Sequence, residues 1–90
     1  MIVEVHPRVL EGHPELSDLD VEHAVRNTIK SLEREDTDPA QTVGVGPDLS
    51  GNILQWIGNR IVDNPIDSDY WFIFHSMPVT KKVLYELEMI

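Results

Sequence analysis

The chain has 90 residues, 7 Lys and Arg against 16 Asp and Glu, a formal charge of −9 and no cysteine. Its length predicts one domain over 1–90 with a thin stability margin, and the lack of cysteine excludes a disulfide framework, a thiolate nucleophile and any Cys-based zinc site. The charge opposes approach to nucleic acid and to anionic membranes, and favours a basic partner bound in a salt-dependent way.

No run approaches the roughly 18 apolar residues needed to span a bilayer. The start, MIVEVHPRVLEGH, lacks a basic segment followed by an apolar one, so the sequence predicts a cytoplasmic protein without a signal peptide. There is no internal repeat and no linker. A homodimer or a complex would suit so small a core.

Residues 2–5 (IVEV) are β-rich and predict a short edge strand. Pro7 and Pro14 bracket RVLEGH, which has room for little more than one helical turn. Ser17 and Asp20 match a capping box, with Leu16 and Val21 placed as a hydrophobic staple. From there Val21, Ala24, Val25, Thr28, Ile29 and Leu32 recur at three- and four-residue steps. That spacing predicts one amphipathic helix over 17–34, ended by EDTDP with Pro39 as a stop.

Residues 42–46 (TVGVG) suit a strand and 47–52 (PDLSGN) a turn. In 53–62, Ile53, Ile57 and Ile61 lie four apart, as on a helix, but all are odd-numbered, as on a strand face. The β-branched and aromatic content, with Gly58, favours the strand. A polar loop over 63–69 precedes a strong strand, YWFIFH (70–75), and Pro78 opens a final helix to about residue 88. The predicted fold is α+β: an antiparallel sheet of three or four strands, a three-stranded meander among them, packed by the 17–34 helix and the C-terminal helix.

Four histidines, His6, His13, His23 and His75, are the groups that titrate near neutral pH. None has H-x₃-H or H-E-x-x-H spacing, and GVGPDLSG lacks both GxGxxG and a Walker lysine. No metal and no cofactor is therefore expected. His23, Asn27, Lys30 and Arg34 follow steps of four, three and four on the predicted helix. They form either a line that meets phosphates or a solvated face, and a face opposite the core seldom lines a cleft. His75, Ser76, Thr80, Lys81 and Lys82 follow the strongest strand and open the last helix. Either they form an anion site with His75 as general acid or base, or Ser76 and Thr80 cap the helix and the lysines are solvated.

Three segments, HPRVLEGHPELSDLDVEHAVRN (6–27), VGVGPDLSGNILQWI (43–57) and DYWFIFHSMPVTKKVLYELE (69–88), together resemble BrnT-like toxins. The first is similar to that family's opening, a short segment ending in a histidine before a capped acidic helix. The second is similar to its first hairpin, and the third to its last strand and basic C-terminal helix. The family's Lys-His pair falls on Gly12 and His13, and its Ser-Ala-Arg on Ser76, Met77 and Pro78, so the lysine and the arginine are absent here. Lys81 and Lys82 match the basic start of the last helix.

The resemblance implies a RelE-like fold, a metal-independent endoribonuclease acting on mRNA, and a cognate antitoxin. His75 would be the general acid or base, Lys81 a phosphate contact, and His13 and His23 supporting groups or a second base. Asn27, Lys30, Thr80 and Lys82 would bind substrate. The expected partner is the antitoxin or another basic protein, with RNA opposed by the net charge. The alternative is a non-catalytic acidic protein-interaction module on the same fold.

Overall fold

The computed structural model describes residues 1–90 in the order β1 (Ile2–Val5), α1 (Pro7–Gly12), α2 (Asp18–Arg26), β2 (Lys30–Arg34), β3 (Gln41–Pro47), β4 (Ile53–Ile61), β5 (Tyr70–Pro78) and α3 (Lys81–Glu86). The strands form one sheet in the order β1-β5-β4-β3-β2. From β2 to β5 neighbours are antiparallel, while β1 lies parallel to β5 at the edge. The sheet is thus five-stranded and mixed, not the three- or four-stranded antiparallel sheet the sequence predicts. The extra strand is β2. The parallel edge arises because α1 and α2 carry the chain from β1 across the sheet to β2 at the far edge, and the successive reversals from β2 bring β5 back alongside β1.

The predicted 17–34 helix stops at Arg26, and residues 30–34 are strand β2. Its start is as expected: Ser17 and Asp20 form the reciprocal capping box, and Leu16 and Val21 are buried in one cluster. Its end comes from side chains that compete for helical carbonyls. Asn27 Nδ2 donates to His23 O at 2.9 Å, and Thr28 Oγ1 donates to Val25 O at 2.6 Å. Asn, Thr and Ile in succession are also weak helix formers, and the chain beyond them gains a ladder with β3, Lys30 opposite Val45 through Arg34 opposite Gln41. Ile29 and Leu32, predicted as core, are 58% and 43% exposed. EDTDP therefore turns the β2–β3 hairpin instead of ending a helix.

The meander of β3, β4 and β5 is as the sequence predicts, and residues 53–61 are strand. Pro78 closes β5 and does not open a helix, because pairing with β4 continues one residue further: Val79 N donates to Ile53 O at 3.0 Å. Thr80 then caps α3.

The sheet buries apolar residues on both faces. Leu54, Trp56 and Ile73 pack under Val21, Ala24 and Val25 of α2, with Val9 of α1. On the other face Val43 and Val45 pack under Val83 and Leu87, with Ile53 and Ile57 alongside. No helix is long and apolar enough to cross a membrane.

Candidate functional site

A β-bulge decides which face His75 occupies. Ile57 pairs with His75 but Gly58 pairs with Ile73, so Phe74 is an extra residue on β5. In a regular strand, residues two apart share a face. The extra residue breaks that rule, so Ile73 points to the α2 face and His75 to the α3 face, beside Ile57. Bulges commonly re-aim side chains in this way.

On that face His75 meets a buried polar neighbour. Gln55 is 5% exposed, and its Nε2 lies 3.0 Å from His75 Nε2. The Gln55 Oε1 accepts from Thr80 N at 2.9 Å and from Thr80 Oγ1 at 2.8 Å. Thr80 Oγ1 in turn accepts from Val83 N at the start of α3. Ser76, buried on the opposite face, donates to Gln55 O at 2.9 Å and fixes the two strands at this level. Burial pushes the His75 pKa below its ordinary value, and electrostatic coupling to His13 and Arg34 acts in the same direction. All three effects favour the neutral form of the His75 ring.

The sequence offers a modest signal for Gln55 that a motif search misses. It is the only polar residue at the odd positions of ILQWI, between Ile53 and Ile57 on one strand face. A polar group at such a position is buried and needs partners.

Arg34 reaches the α3 face from β2 and forms a two-pronged ion pair with Glu86, both contacts at 2.7 Å. The Arg34 hydrogen bonds hold the Glu86 carboxyl below the usual carboxylate range, and its positive charge and that of Lys82 act in the same direction. A depressed carboxylate pKa contributes stability above its unfolded value and loses it as pH falls through the folded one. Glu86→Gln is therefore expected to lower stability by about 1 kcal/mol at pH 7, an exposed-pair magnitude. The difference from wild type should shrink as pH falls below about 4. Urea midpoints of both proteins across that range check this, and a gap that persists at low pH would refute the ionic contribution.

The other candidates do not converge on His75. His23 is on α2, where its Nδ1 lies 2.8 Å from Pro47 O at the end of β3. Asn27 spends its side chain on the C-terminal turn of α2. Lys30 is exposed on β2. The predicted helical line of His23, Asn27, Lys30 and Arg34 does not exist, because a helix and a strand divide it. His13 follows α1 and pairs with Glu15 at 3.0 Å, within electrostatic range of His75. Lys81 and Lys82 are exposed on α3. Of the backbone N–H groups expected to cradle an anion there, those of Thr80 and Val83 are already bonded inside the protein. His6 caps α1 by accepting from Arg8 N and stacks edge-on against Phe72.

A groove of about 620 Å³ runs between the start of α2 and the β3–β4 turn, with Glu15, Asp20 and Asp48 among its lining residues. Each of the three carboxylates has local partners. Glu15 bonds His13, Asp20 closes the capping box and accepts from Leu49 N, and Asp48 accepts from Ser50 N and Asn52 N. No group of three or more His, Asp and Glu is placed to hold a metal ion.

Comparison with family models, with curated proteins and with solved structures finds no match.

Proposed function

We propose that the protein is a toxin-like member of a toxin–antitoxin pair, on a RelE-like form of the α+β fold, and that it cleaves mRNA without a metal at the α3 face of the sheet. The observation that carries this reading is the placement of His75: half-buried, oriented by Gln55, and within electrostatic reach of His13 and Arg34. A group that handles a proton or an oxyanion needs such fixed orientation, because catalytic donors act through preorganisation. The likeness to BrnT-like toxins in the segments around His13, the first hairpin and Lys81–Lys82 supplies the substrate class. A cognate antitoxin, basic against the charge of −9, is the partner.

A second reading, the non-catalytic interaction module, is favoured by β2. This strand is an edge of the sheet, and Ile29 and Leu32 beside and within it are exposed. An edge strand can accept a strand from another chain.

Induced expression and incubation of the purified protein with mRNA in the presence of a chelator separate the two. The enzyme reading expects growth arrest and RNA cleavage, and His75→Ala should slow cleavage by about 10²–10⁴-fold. An unchanged unfolding midpoint for the variant establishes that chemistry, not folding, is lost. Harmless wild-type expression with intact RNA would overturn the enzyme reading in favour of the interaction module.

A further inference from the structure

We propose that Thr80 and Gln55 lock His75 as the neutral imidazole with its proton on Nδ1, so that the solvent-facing edge of the ring is a hydrogen-bond donor for an anionic ligand oxygen and not a proton acceptor. The order of contacts dictates this. The backbone N–H of Thr80 can only donate, so the Gln55 atom 2.9 Å from it is the amide oxygen. The Thr80 hydroxyl, 2.8 Å from the same oxygen, adds a second donor. Flipping the amide would oppose donor to donor on a residue that is 5% exposed.

The Gln55 NH₂ must then face His75 Nε2, at 3.0 Å. That NH₂ also only donates, so Nε2 presents a lone pair and the proton of the neutral ring sits on Nδ1. No buried side-chain nitrogen or oxygen is left without a partner, so Nδ1, which bonds no protein atom, reaches solvent. Arg34, reaching in from β2, opposes a second proton on the ring, and electrostatic coupling to His13 acts the same way.

Gln55 is thus a positioning residue and His75 the group that meets the ligand. A ring whose Nε2 lone pair is already engaged is poorly placed to act as a general base, whereas a neutral N–H donor stabilises an oxyanion at any pH near neutrality. On the ribonuclease reading above, on which only the ligand's identity rests, the acceptor is a non-bridging phosphate oxygen.

Long-range ¹H–¹⁵N spectra of the whole protein test the tautomer without reference to enzyme activity. Wild-type His75 should show the Nδ1–H pattern at about pH 7–8. Gln55→Glu keeps the side-chain length but sets an accepting oxygen against Nε2, so it should move the proton to Nε2. An Nε2–H or doubly protonated ring at pH 7 in the wild type, or a tautomer unmoved by Gln55→Glu, would overturn the lock.

Titration with inorganic phosphate tests the donor. The His75 ring signals should shift to saturation, and His75→Ala should weaken binding about tenfold, the worth of one hydrogen bond to a charged group. His75→Asn, whose amide N–H lies near the place of Nδ1, should recover most of that loss, and His75→Gln should not. Ring signals that phosphate leaves unmoved would refute the donor role. If phosphate binds but RNA stays intact, it is the ribonuclease reading that fails, and the lock and the donor stand.

Discussion

Trp56→Ala is expected to lower the unfolding free energy by about 3–5 kcal/mol, the usual loss on truncating a buried tryptophan. Trp56 sits at the centre of β4, 3% exposed, where three kinds of contact meet. Its ring packs in the cluster of Val21, Ala24 and Val25, so it joins α2 to the sheet. It stacks edge-on against Trp71 at 5.7 Å. Its Nε1 donates to Thr28 Oγ1 at 3.2 Å, and that hydroxyl donates onward to Val25 O at the end of α2. The same ring occupies the space over Gly44, where a Cβ would stand 2.5 Å from it. Truncation therefore opens a cavity and removes the indole N–H that the Thr28 hydroxyl accepts. The net stability of a 90-residue chain is about 5–13 kcal/mol, so the loss is a large fraction of the whole. Urea unfolding followed by circular dichroism and by the fluorescence of the remaining Trp71 measures it. A shift worth less than about 1 kcal/mol would contradict the central place given to Trp56.

The parts of the fold legible in the sequence are those fixed by short-range chemistry. The Ser17–Asp20 capping box needs only two side chains and a few backbone amides, and it forms as read. The meander follows from three β-rich runs joined by turn formers, and the β-branched content of 53–61 overrode its helical spacing. The end of the helix at Arg26 is not legible, because Ile29 and Leu32 fit a 3.6-residue period, while the signal that ends the helix lies in how Asn27 and Thr28 use their side chains. Whether such residues cap or continue a helix depends on what the next segment can pair with, and β2 has β3.

The site divides in the same way. His75 was identifiable as the histidine of the strongest strand, but its face was not, because parity counting assumes a strand without a bulge and Phe74 breaks the count. Gln55 and His75 are 20 residues apart. Their contact depends on the register of β4 against β5, which no local pattern contains.

The other large effect is at Gly46, where alanine is expected to cost about 3 kcal/mol, the upper part of the usual range for overpacking. A Cβ built there would stand 2.1 Å from Ala24 O, 2.9 Å from Ala24 C and 3.1 Å from Asn27 O. All three are backbone atoms of the C-terminal turn of α2 and its cap, so no rotamer change relieves the clash. Either the helix end lifts from β3 or the strand bends away. Both movements disturb contacts that tie α2 and the start of β2 to β3. Ile29 N donates to Val45 O at 2.8 Å and starts β2, and His23 Nδ1 meets Pro47 O. Close approach is thus what requires glycine at this position. Gly12 is the control: it lies in α1, a Cβ there meets nothing within 4 Å, and Gly12→Ala is expected to be neutral or to stabilise by up to about 1 kcal/mol. Denaturant midpoints of the two variants, measured side by side, check the pair. If Gly46→Ala unfolds at the same denaturant concentration as Gly12→Ala, α2 does not rest on β3 as closely as 2.1 Å implies.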